Sequence, residues 1–170
     1  MGRGSALLLL VVMGVGAFLS GLELMVTATA LPAIVVDLAD WTELRPASWI
    51  INGYLLVSIV VMPLAGQLAD RYGIRRVFLW ALVIFIGGSI LAGRATSLAE
   101  LIGARLLQAT GGGALVPVAT SAASHLFQGG GRGRALGLVG AVTFLGMAAG
   151  PFAGAWVLQS VHPGAALDAL

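Results

Sequence analysis

Five long apolar runs dominate the sequence and decide which folds are open to it. The hydrocarbon core of a bilayer is about 30 Å thick, so a helix that crosses it needs about 20 predominantly apolar residues. Each run reaches about that length and is bounded by charged residues, proline or glycine. We predict helices over residues 6–36, 49–68, 77–93, 98–124 and 135–158. The runs therefore predict an all-α fold, a polytopic membrane helix bundle of about five transmembrane helices.

The overall composition excludes a soluble enzyme or a nucleic-acid-binding protein. Apolar residues make up 59% of the 170 residues and charged residues only 9%, with a mean hydropathy of +1.01, whereas soluble domains carry about 25% charged residues. The formal net charge of +2 is too small to indicate a nucleic-acid partner. No cysteine is present, which removes disulfides, thiolate metal sites and cysteine nucleophiles. The 25 glycines are scattered through the apolar runs, as close packing of membrane helices requires.

Arginine placement predicts how the helices are oriented, because loops rich in positive charge stay on the cytoplasmic side. One set of loops carries six arginines, at Arg3, Arg71, Arg75, Arg76, Arg132 and Arg134. The other set carries Arg45 and Arg94. We therefore predict a multi-pass protein of the bacterial plasma (inner) membrane with a cytoplasmic N-terminus. The first apolar run is too long for a cleaved signal peptide, so it counts as a helix.

Glu23 is the one charged residue between Arg3 and Asp37 and lies near the middle of the first apolar run. A carboxylate near the bilayer midplane is costly, so such a group usually faces a cavity and marks an ion or proton pathway. Burial also favours its protonated form, which suits proton uptake near neutral pH. Packing against polar neighbours, or an outward shift of the helix, is the alternative interpretation.

Arg105 lies about two turns inside the fourth predicted helix, with Gln108 and Gly112 on the same face three and seven residues further on. A permanently charged guanidinium group at this position needs a partner. Two interpretations are open. The side chain pairs inside the bundle, with Glu23 or through water, or it extends to the outer interface, about 10 Å away.

The loop between the second and third helices carries the most specific motif in the chain. It reads Gly66-Gln-Leu-Ala-Asp70-Arg71-Tyr-Gly73-Ile-Arg75-Arg76. We interpret it as a tight cytoplasmic turn, in which Gly73 can adopt a positive φ and Asp70 can cap a helix N-terminus. Its three arginines can anchor the turn to the inner face.

The remaining connections also carry turn signals. Residues 37–46 are predicted to form a polar loop, and residues 128–134 a Gly-rich, basic and flexible turn. Ser97-x-x-Glu100 has the spacing of a capping box and predicts the start of the fourth helix.

Three glycines recur at four-residue spacing in the fifth predicted helix, at Gly146, Gly150 and Gly154, and Pro151 lies among them. Such spacing lines one groove for a neighbouring helix, while proline removes one backbone hydrogen bond and predicts a kink. The spacing fits a specialised helix and ordinary helix packing equally well.

Other features of the sequence offer no catalytic or metal site. His125 and His162 lie at or beyond helix ends without metal-ligand spacing, so we predict solvated or interfacial side chains. The glycines at 111–113 and 129–133 do not predict a phosphate-binding loop, because the chain has no lysine and no GxGxxG motif between a strand and a helix. We therefore predict that the chain is not an enzyme and has no metal or organic cofactor.

Taken in order, the motifs resemble the major facilitator superfamily and, within it, the multidrug drug:proton antiporters of the fourteen-span type. Four segments carry the resemblance: Leu22-Glu23 followed by Ala30-Leu31-Pro32, the loop at 66–76, Arg105-Leu-Leu-Gln108, and Gly146-x-x-x-Gly150-Pro151-x-x-Gly154. The match runs over about residues 15–158. The acidic residue of the family's first-helix motif is usually aspartate, and Ala109 and Ala155 stand where its patterns favour glycine.

The resemblance implies proton-coupled export of a small lipophilic or cationic compound by alternating access, with two six-helix bundles around a midplane site. It implies H⁺ as the coupling ion and Glu23 as the protonation or cation-recognition site. Arg105 is implied as a proton-relay residue, with Gln108 in the same motif.

The resemblance also implies roles for the two glycine-containing motifs. Asp70 and Arg71 would belong to a cytoplasmic charge network that locks the two bundles together in the outward-facing state. Gly150 and Pro151 would shape a helix that discourages leak.

We assign residues 1–158 to part of the family's N-terminal six-helix bundle and residues 159–170 to a divergent polar tail too short to span a bilayer. A rocking mechanism needs a second bundle. Two alternatives to a working transporter are therefore open. One is a non-transporting remnant of a truncated gene, and the other is a half-transporter module that assembles with a complementary membrane chain or with copies of itself.

Overall fold

Six α-helices account for nearly all of the chain that the computed structural model describes, which is residues 3–38, 44–127 and 130–161. The helices are α1 (Arg3–Leu38), α2 (Leu44–Ala47), α3 (Trp49–Tyr72), α4 (Ile74–Ala92), α5 (Leu98–Leu126) and α6 (Gly130–Val161). These ranges contain no strand. The prediction of an all-α fold is confirmed.

Every helix except the four-residue α2 is long and apolar enough to cross a membrane. Helices suit this environment because they satisfy their own backbone hydrogen bonds where no water is available. The helix α5 has the lowest mean hydropathy of the five, 1.2, and is also the most enclosed, with 61% of its span buried against 22–28% for the others. It is therefore the central helix, and its polar residues can face protein rather than lipid.

The bundle is assembled around α5. Both α3 and α4 pack mainly on α5, while α1 packs mainly on α6, and this second pair joins the first through contacts of α1 and α6 with α5. The core side chains are mostly small or branched and include Ala17, Ala65, Val77, Ala81, Phe85, Leu115, Val118 and Ala119. Small side chains let helix backbones approach closely, which is how helices associate in lipid.

Several helices extend beyond the predicted bounds. The helix α3 continues to Tyr72 and α4 begins at Ile74, so most of the expected loop between 69 and 76 is helical. The helix α6 begins at Gly130, so the prediction of a flexible turn is wrong for residues 130–134, which are helical. Apolar runs mark only the lipid-facing core of a helix, and the backbone ladder continues into the polar interface.

Other predictions fall partly outside the described residues. The polar loop expected at 37–46 includes most of the short helix α2, which the sequence pattern did not indicate. Residues 39–43 of this loop are not among the residues that the structure describes. Residues 128–129 are not among them either. The expected tail at 159–170 begins inside α6, which reaches Val161, and the rest of that tail, including His162, is not among the described residues.

Gly73 alone separates α3 from α4. Its φ is +91°, its N–H donates to the carbonyl of Ala69 at 3.0 Å, and its own carbonyl accepts from Val77 N–H at 3.2 Å. The predicted positive φ is therefore confirmed. The predicted capping role of Asp70 is wrong, because Asp70 lies in the last turn of α3 and α4 has no side-chain cap.

Replacing Gly73 with alanine is expected to lower the free energy of unfolding by about 1–3 kcal/mol, because its φ of +91° and ψ of +137° lie in a region that is almost confined to glycine. Gly66→Ala is the matched control. Neither glycine has an atom within 4 Å of an added Cβ, but Gly66 is an ordinary helical residue, so alanine there should stabilise the helix by up to about 1 kcal/mol. Denaturation by SDS in mixed micelles measures the free energy of unfolding of both variants. Equal changes in stability for Gly73→Ala and Gly66→Ala would contradict the special backbone conformation assigned to Gly73.

The start of α5 carries the predicted capping box in a shifted form. Ser97 Oγ accepts from the backbone N–H of Glu100 at 3.3 Å, and α5 begins at Leu98 as predicted. The carboxylate of Glu100 reaches back to Thr96, accepting from its backbone N–H at 2.9 Å and its hydroxyl at 3.0 Å. The cap therefore satisfies helix and loop donors together.

Candidate functional site

The helices bring Glu23 of α1 and Arg105 of α5 into direct contact inside the bundle. Arg105 Nη1 donates to Glu23 Oε1 and, at 2.8 Å, to Gln108 Oε1. The side chains of Arg105 and Glu23 are only 10% and 19% exposed. The sequence left two interpretations of Arg105 open. The structure confirms the first, in which Arg105 pairs with Glu23 inside the bundle rather than extending to the interface.

Thr27 ties the carboxylate to its own helix. Its hydroxyl donates to the Glu23 carbonyl at 2.9 Å and lies 3.4 Å from Glu23 Oε1. Thr27 itself is buried, with 5% exposure. Sequence reasoning missed this residue, although a hydroxyl four residues after a buried carboxylate on the same helix is a detectable signal.

Three consecutive glycines allow α5 to pack closely against α3 and α4. A Cβ on Gly111 would lie 2.8 Å from Phe85 Cα on α4, and a Cβ on Gly113 would lie 2.7 Å from Ser58 Cα on α3. Both distances are shorter than real side chains tolerate. The glycines at 111–113 are thus a helix-packing seam, which agrees with their exclusion as a phosphate-binding loop.

A second group of polar side chains lies beside the ion pair and was missed by sequence reasoning. Ser20 of α1 donates from Oγ to the Gly112 carbonyl at 3.1 Å. Tyr54 and Ser58 of α3 are buried at 7% and 6% exposure. Polar residues inside two separate apolar runs were the available signal, but only the packing of the helices shows that they meet.

The predicted glycine motif of α6 packs directly on α1. A Cβ on Gly146 would lie 3.0 Å from Leu22 N, one on Gly150 would lie 2.9 Å from Leu22 O, and one on Gly154 would lie 3.1 Å from Thr29 Cβ. Side chains at these positions would separate the two backbones. The helix remains continuous through Pro151. The motif therefore holds α6 against the part of α1 that carries Glu23.

The motif at the α3–α4 junction forms a separate, exposed site. The side chains of Asp70, Arg71, Arg75 and Arg76 are exposed, whereas Glu23 and Arg105 are largely buried. Asp70 Oδ1 lies 3.8 Å from His125 Nε2 at the end of α5, and both side chains are at least 65% exposed. An exposed contact of this length contributes little stability. His125 is solvated as predicted.

An apolar groove of about 420 Å³ lies between α1 and α6, away from the ion pair. Its walls are Leu10, Val11, Gly14, Val15, Phe18, Leu138, Val139 and Val142. No polar side chain lines it, so it can hold only an apolar group. Across the parts of the chain that the structure describes, no three His, Asp or Glu side chains come together as metal ligands.

A bundle of membrane-spanning helices with a buried ion pair is typical of integral membrane proteins that carry ions or solutes. The Major Facilitator Superfamily model matches residues 13–167. The chain belongs to this superfamily of membrane transporters. The match includes most of α1, the other four long helices and both charged residues of the interior pair, so the resemblance to this superfamily inferred from the motifs is confirmed.

Three curated relatives illustrate the similarity. The chain is 38% identical over 148 residues to "Multidrug transporter protein MdtP" of Bacillus subtilis, which is 87% of this chain and 27% of that protein. It is 37% identical over 146 residues to "Multidrug resistance protein 3" of the same organism, with 86% and 28% covered. It is 30% identical over 152 residues to "Riboflavin transporter RibZ" of Clostridioides difficile, with 89% and 33% covered. The chain thus spans about a quarter to a third of the length of these relatives.

Proposed function

We propose that the chain forms the substrate- and proton-handling part of the N-terminal bundle of a multidrug exporter, driven by H⁺ across the bacterial plasma membrane. The buried pair of Glu23 and Arg105 is the main support for this proposal. Placing a carboxylate inside an apolar bundle has a large solvation cost, and such groups are usually retained because they have a function. The multidrug names of two relatives support export of lipophilic or cationic compounds. The arginine distribution supports a cytoplasmic N-terminus.

The pair offers a simple way to couple proton uptake to a change of state. Protonation of Glu23 removes its negative charge and leaves the guanidinium of Arg105 without its counterion in a poorly solvated site. Gln108 still accepts one hydrogen bond from Arg105, so the released arginine has a neutral partner. A cationic substrate would compete with Arg105 for the carboxylate, which makes proton binding and substrate binding mutually exclusive.

The two other motifs support the same proposal in different ways. We assign Asp70 and Arg71 to a cytoplasmic contact that locks this bundle against another, because both side chains are exposed at the end of α3. The close contact of Gly150 with α1 supports a role for the neighbouring Pro151 segment in excluding water between the helices.

Transport by alternating access requires a second bundle against which this one moves. The half-transporter alternative is favoured by the exposed apolar groove between α1 and α6, which a further apolar helix would cover. The relative from Clostridioides difficile is named as a riboflavin transporter, so proteins similar to this chain are named for different substrates. Crosslinking to a co-purified membrane protein, or self-association in bilayers, would support the half-transporter module. A chain that inserts into the membrane, binds no other chain and transports nothing would support the non-transporting remnant.

Glu23→Gln is expected to abolish the protonophore-sensitive efflux of a fluorescent lipophilic cation from cells expressing residues 1–170, because glutamine cannot take up a proton. Glu100→Gln, on the exposed first turn of α5, is the matched control and should retain efflux. The amount of each variant in the membrane is measured in parallel. Full proton-driven efflux by Glu23→Gln would contradict the proposed role, and no efflux from an abundant unmodified chain would show that it needs further helices.

A further inference from the structure

Two exposed arginines in the first turn of α4 have no counterion in the described part of the chain. Arg75 and Arg76 are both exposed, and the first turn of α4 has no acidic residue. Neither side chain forms an ion pair with a described residue. The carboxylate of Asp70, at the end of α3, faces His125 instead. The start of α4 therefore carries positive charge that its protein neighbours do not neutralise.

The two arginines stand at the end of an apolar, lipid-facing surface of α4. Leu79, Val83, Ile86 and Ile90 follow at helical spacing on one face, and they are 47–69% exposed. Such a face is suited to contact with acyl chains. Charged residues at the end of a membrane-spanning helix lie at the level of the lipid headgroups. The arginines are thus placed at the depth of the lipid phosphates.

Two aromatic rings lie beside the arginines. Trp80 follows Arg76 by about one helical turn, or about 6 Å along α4, and its ring centroid is 6.0 Å from that of Tyr72 at the end of α3. The rings are exposed, and the guanidinium carbon of Arg71 lies 5.4 Å from the centre of the Tyr72 ring. Tyrosine and tryptophan prefer the zone where acyl chains meet headgroups. The ring pair therefore offers a surface for the glycerol region of a lipid.

We propose that Arg75 and Arg76, together with Tyr72 and Trp80, form a binding site for one anionic phospholipid. The lipid phosphate accepts hydrogen bonds from the guanidinium groups, which suit phosphate because they donate in pairs. The glycerol region and the upper acyl chains lie against the two rings. An anionic headgroup is favoured over a zwitterionic one, because the latter carries its own positive charge. None of these residues belongs to the Glu23–Arg105 pair, so lipid binding is independent of the proposed proton coupling.

A diffuse attraction of lipid to a basic end of the bundle is the alternative explanation. His125, at the end of α5, lies 3.8 Å from Asp70, and α6 begins within a few residues of α5. The exposed Arg132 and Arg134 therefore lie at the same end of the bundle as the start of α4. A diffuse attraction would use all these arginines alike, whereas the proposed site uses the two beside the rings. Arg132 and Arg134 thus supply a control pair of equal charge.

Quenching of one tryptophan by brominated lipid tests the site. Trp80 becomes the sole tryptophan of the full chain after three substitutions, Trp41→Phe, Trp49→Phe and Trp156→Phe. The purified chain is reconstituted in phosphatidylcholine nanodiscs that contain dibrominated phosphatidylglycerol or, separately, dibrominated phosphatidylcholine at the same mole fraction. We expect phosphatidylglycerol to bind beside Trp80 at least about fivefold more tightly, the effect of one arginine on an anionic lipid.

Two double variants in this chain separate the site from diffuse attraction. Arg75→Gln/Arg76→Gln should reduce the preference for phosphatidylglycerol to about one, whereas Arg132→Gln/Arg134→Gln should retain most of it. Equal losses in the two double variants would overturn the proposed site. Inorganic phosphate at the concentration of the anionic lipid should leave the preference unchanged. Loss of the preference in phosphate would show a site for soluble anions and would overturn the assignment to lipid.

A second measurement needs no arginine variant, so the proposal can be tested even if those variants do not fold. A chain that retains Trp49 as its sole tryptophan reports from the opposite end of α3. Trp49 and Trp80 are equally exposed, at 53%. The two brominated lipids should quench Trp49 about equally. The same preference for phosphatidylglycerol at Trp49 as at Trp80, or no preference at Trp80, would overturn the proposal.

Discussion

Arg105→Leu is expected to lower the free energy of unfolding by about 3–5 kcal/mol, because it leaves the buried carboxylate of Glu23 without its charged partner. Glu23→Leu should cost at least as much, since it leaves a buried guanidinium that cannot lose its charge. The double variant Glu23→Leu/Arg105→Leu should cost far less than the sum of the two. SDS titration in mixed micelles, followed by circular dichroism, gives all three values as a double-mutant cycle.

A control variant distinguishes loss of the buried pair from loss of any arginine. Arg94→Leu, at an exposed arginine, is the control and should change stability by no more than about 0.5 kcal/mol. Additive losses from the two single variants would show that the charges do not interact.

Gly150→Leu is expected to separate α6 from α1, because the added side chain would occupy the space where Met25 and the Leu22 carbonyl lie. The contact involves backbone atoms, which cannot move aside as a flexible side chain does, so the loss of stability should be about 3 kcal/mol, the upper end of the usual cost of overpacking. Gly140→Leu is the matched control on the same helix, since no atom lies within 4 Å of a Cβ at Gly140.

A disulfide between α1 and α6 reports this separation directly. The chain has no cysteine, so Thr29→Cys/Gly154→Cys adds the sole pair. Their Cβ atoms lie 3.1 Å apart, a few tenths of an ångström below the range of about 3.5–4.5 Å for disulfides, so a slight outward shift of α6 completes the geometry. We expect the pair to crosslink within one chain on mild oxidation, to keep doing so with Gly140→Leu, and to fail with Gly150→Leu. Efficient crosslinking in the Gly150→Leu chain would contradict the packing described for Gly150.

Two residues of the candidate site could be predicted from the sequence alone. Glu23 and Arg105 stand out because charge inside an apolar run carries a large solvation cost whatever the neighbours are. Their pairing was one of two open interpretations, because the sequence does not say how the first and fourth long helices face each other. Tyr54 and Ser58 gave no comparable signal, since a phenol or a hydroxyl in an apolar helix costs little and has many ordinary explanations.

The sequence by itself determined the all-α class, the five apolar spans, the break at Gly73 and the start of α5 at Leu98, because each follows from local hydropathy, backbone conformation or capping within a few residues. Only the tertiary structure decided that Glu23 meets Arg105, that residues 111–113 fit against α3 and α4, and that Gly150 faces α1. Those contacts join residues far apart in the chain, and in lipid they depend on the close fit of helix surfaces rather than on hydrophobicity, which is similar all around each helix.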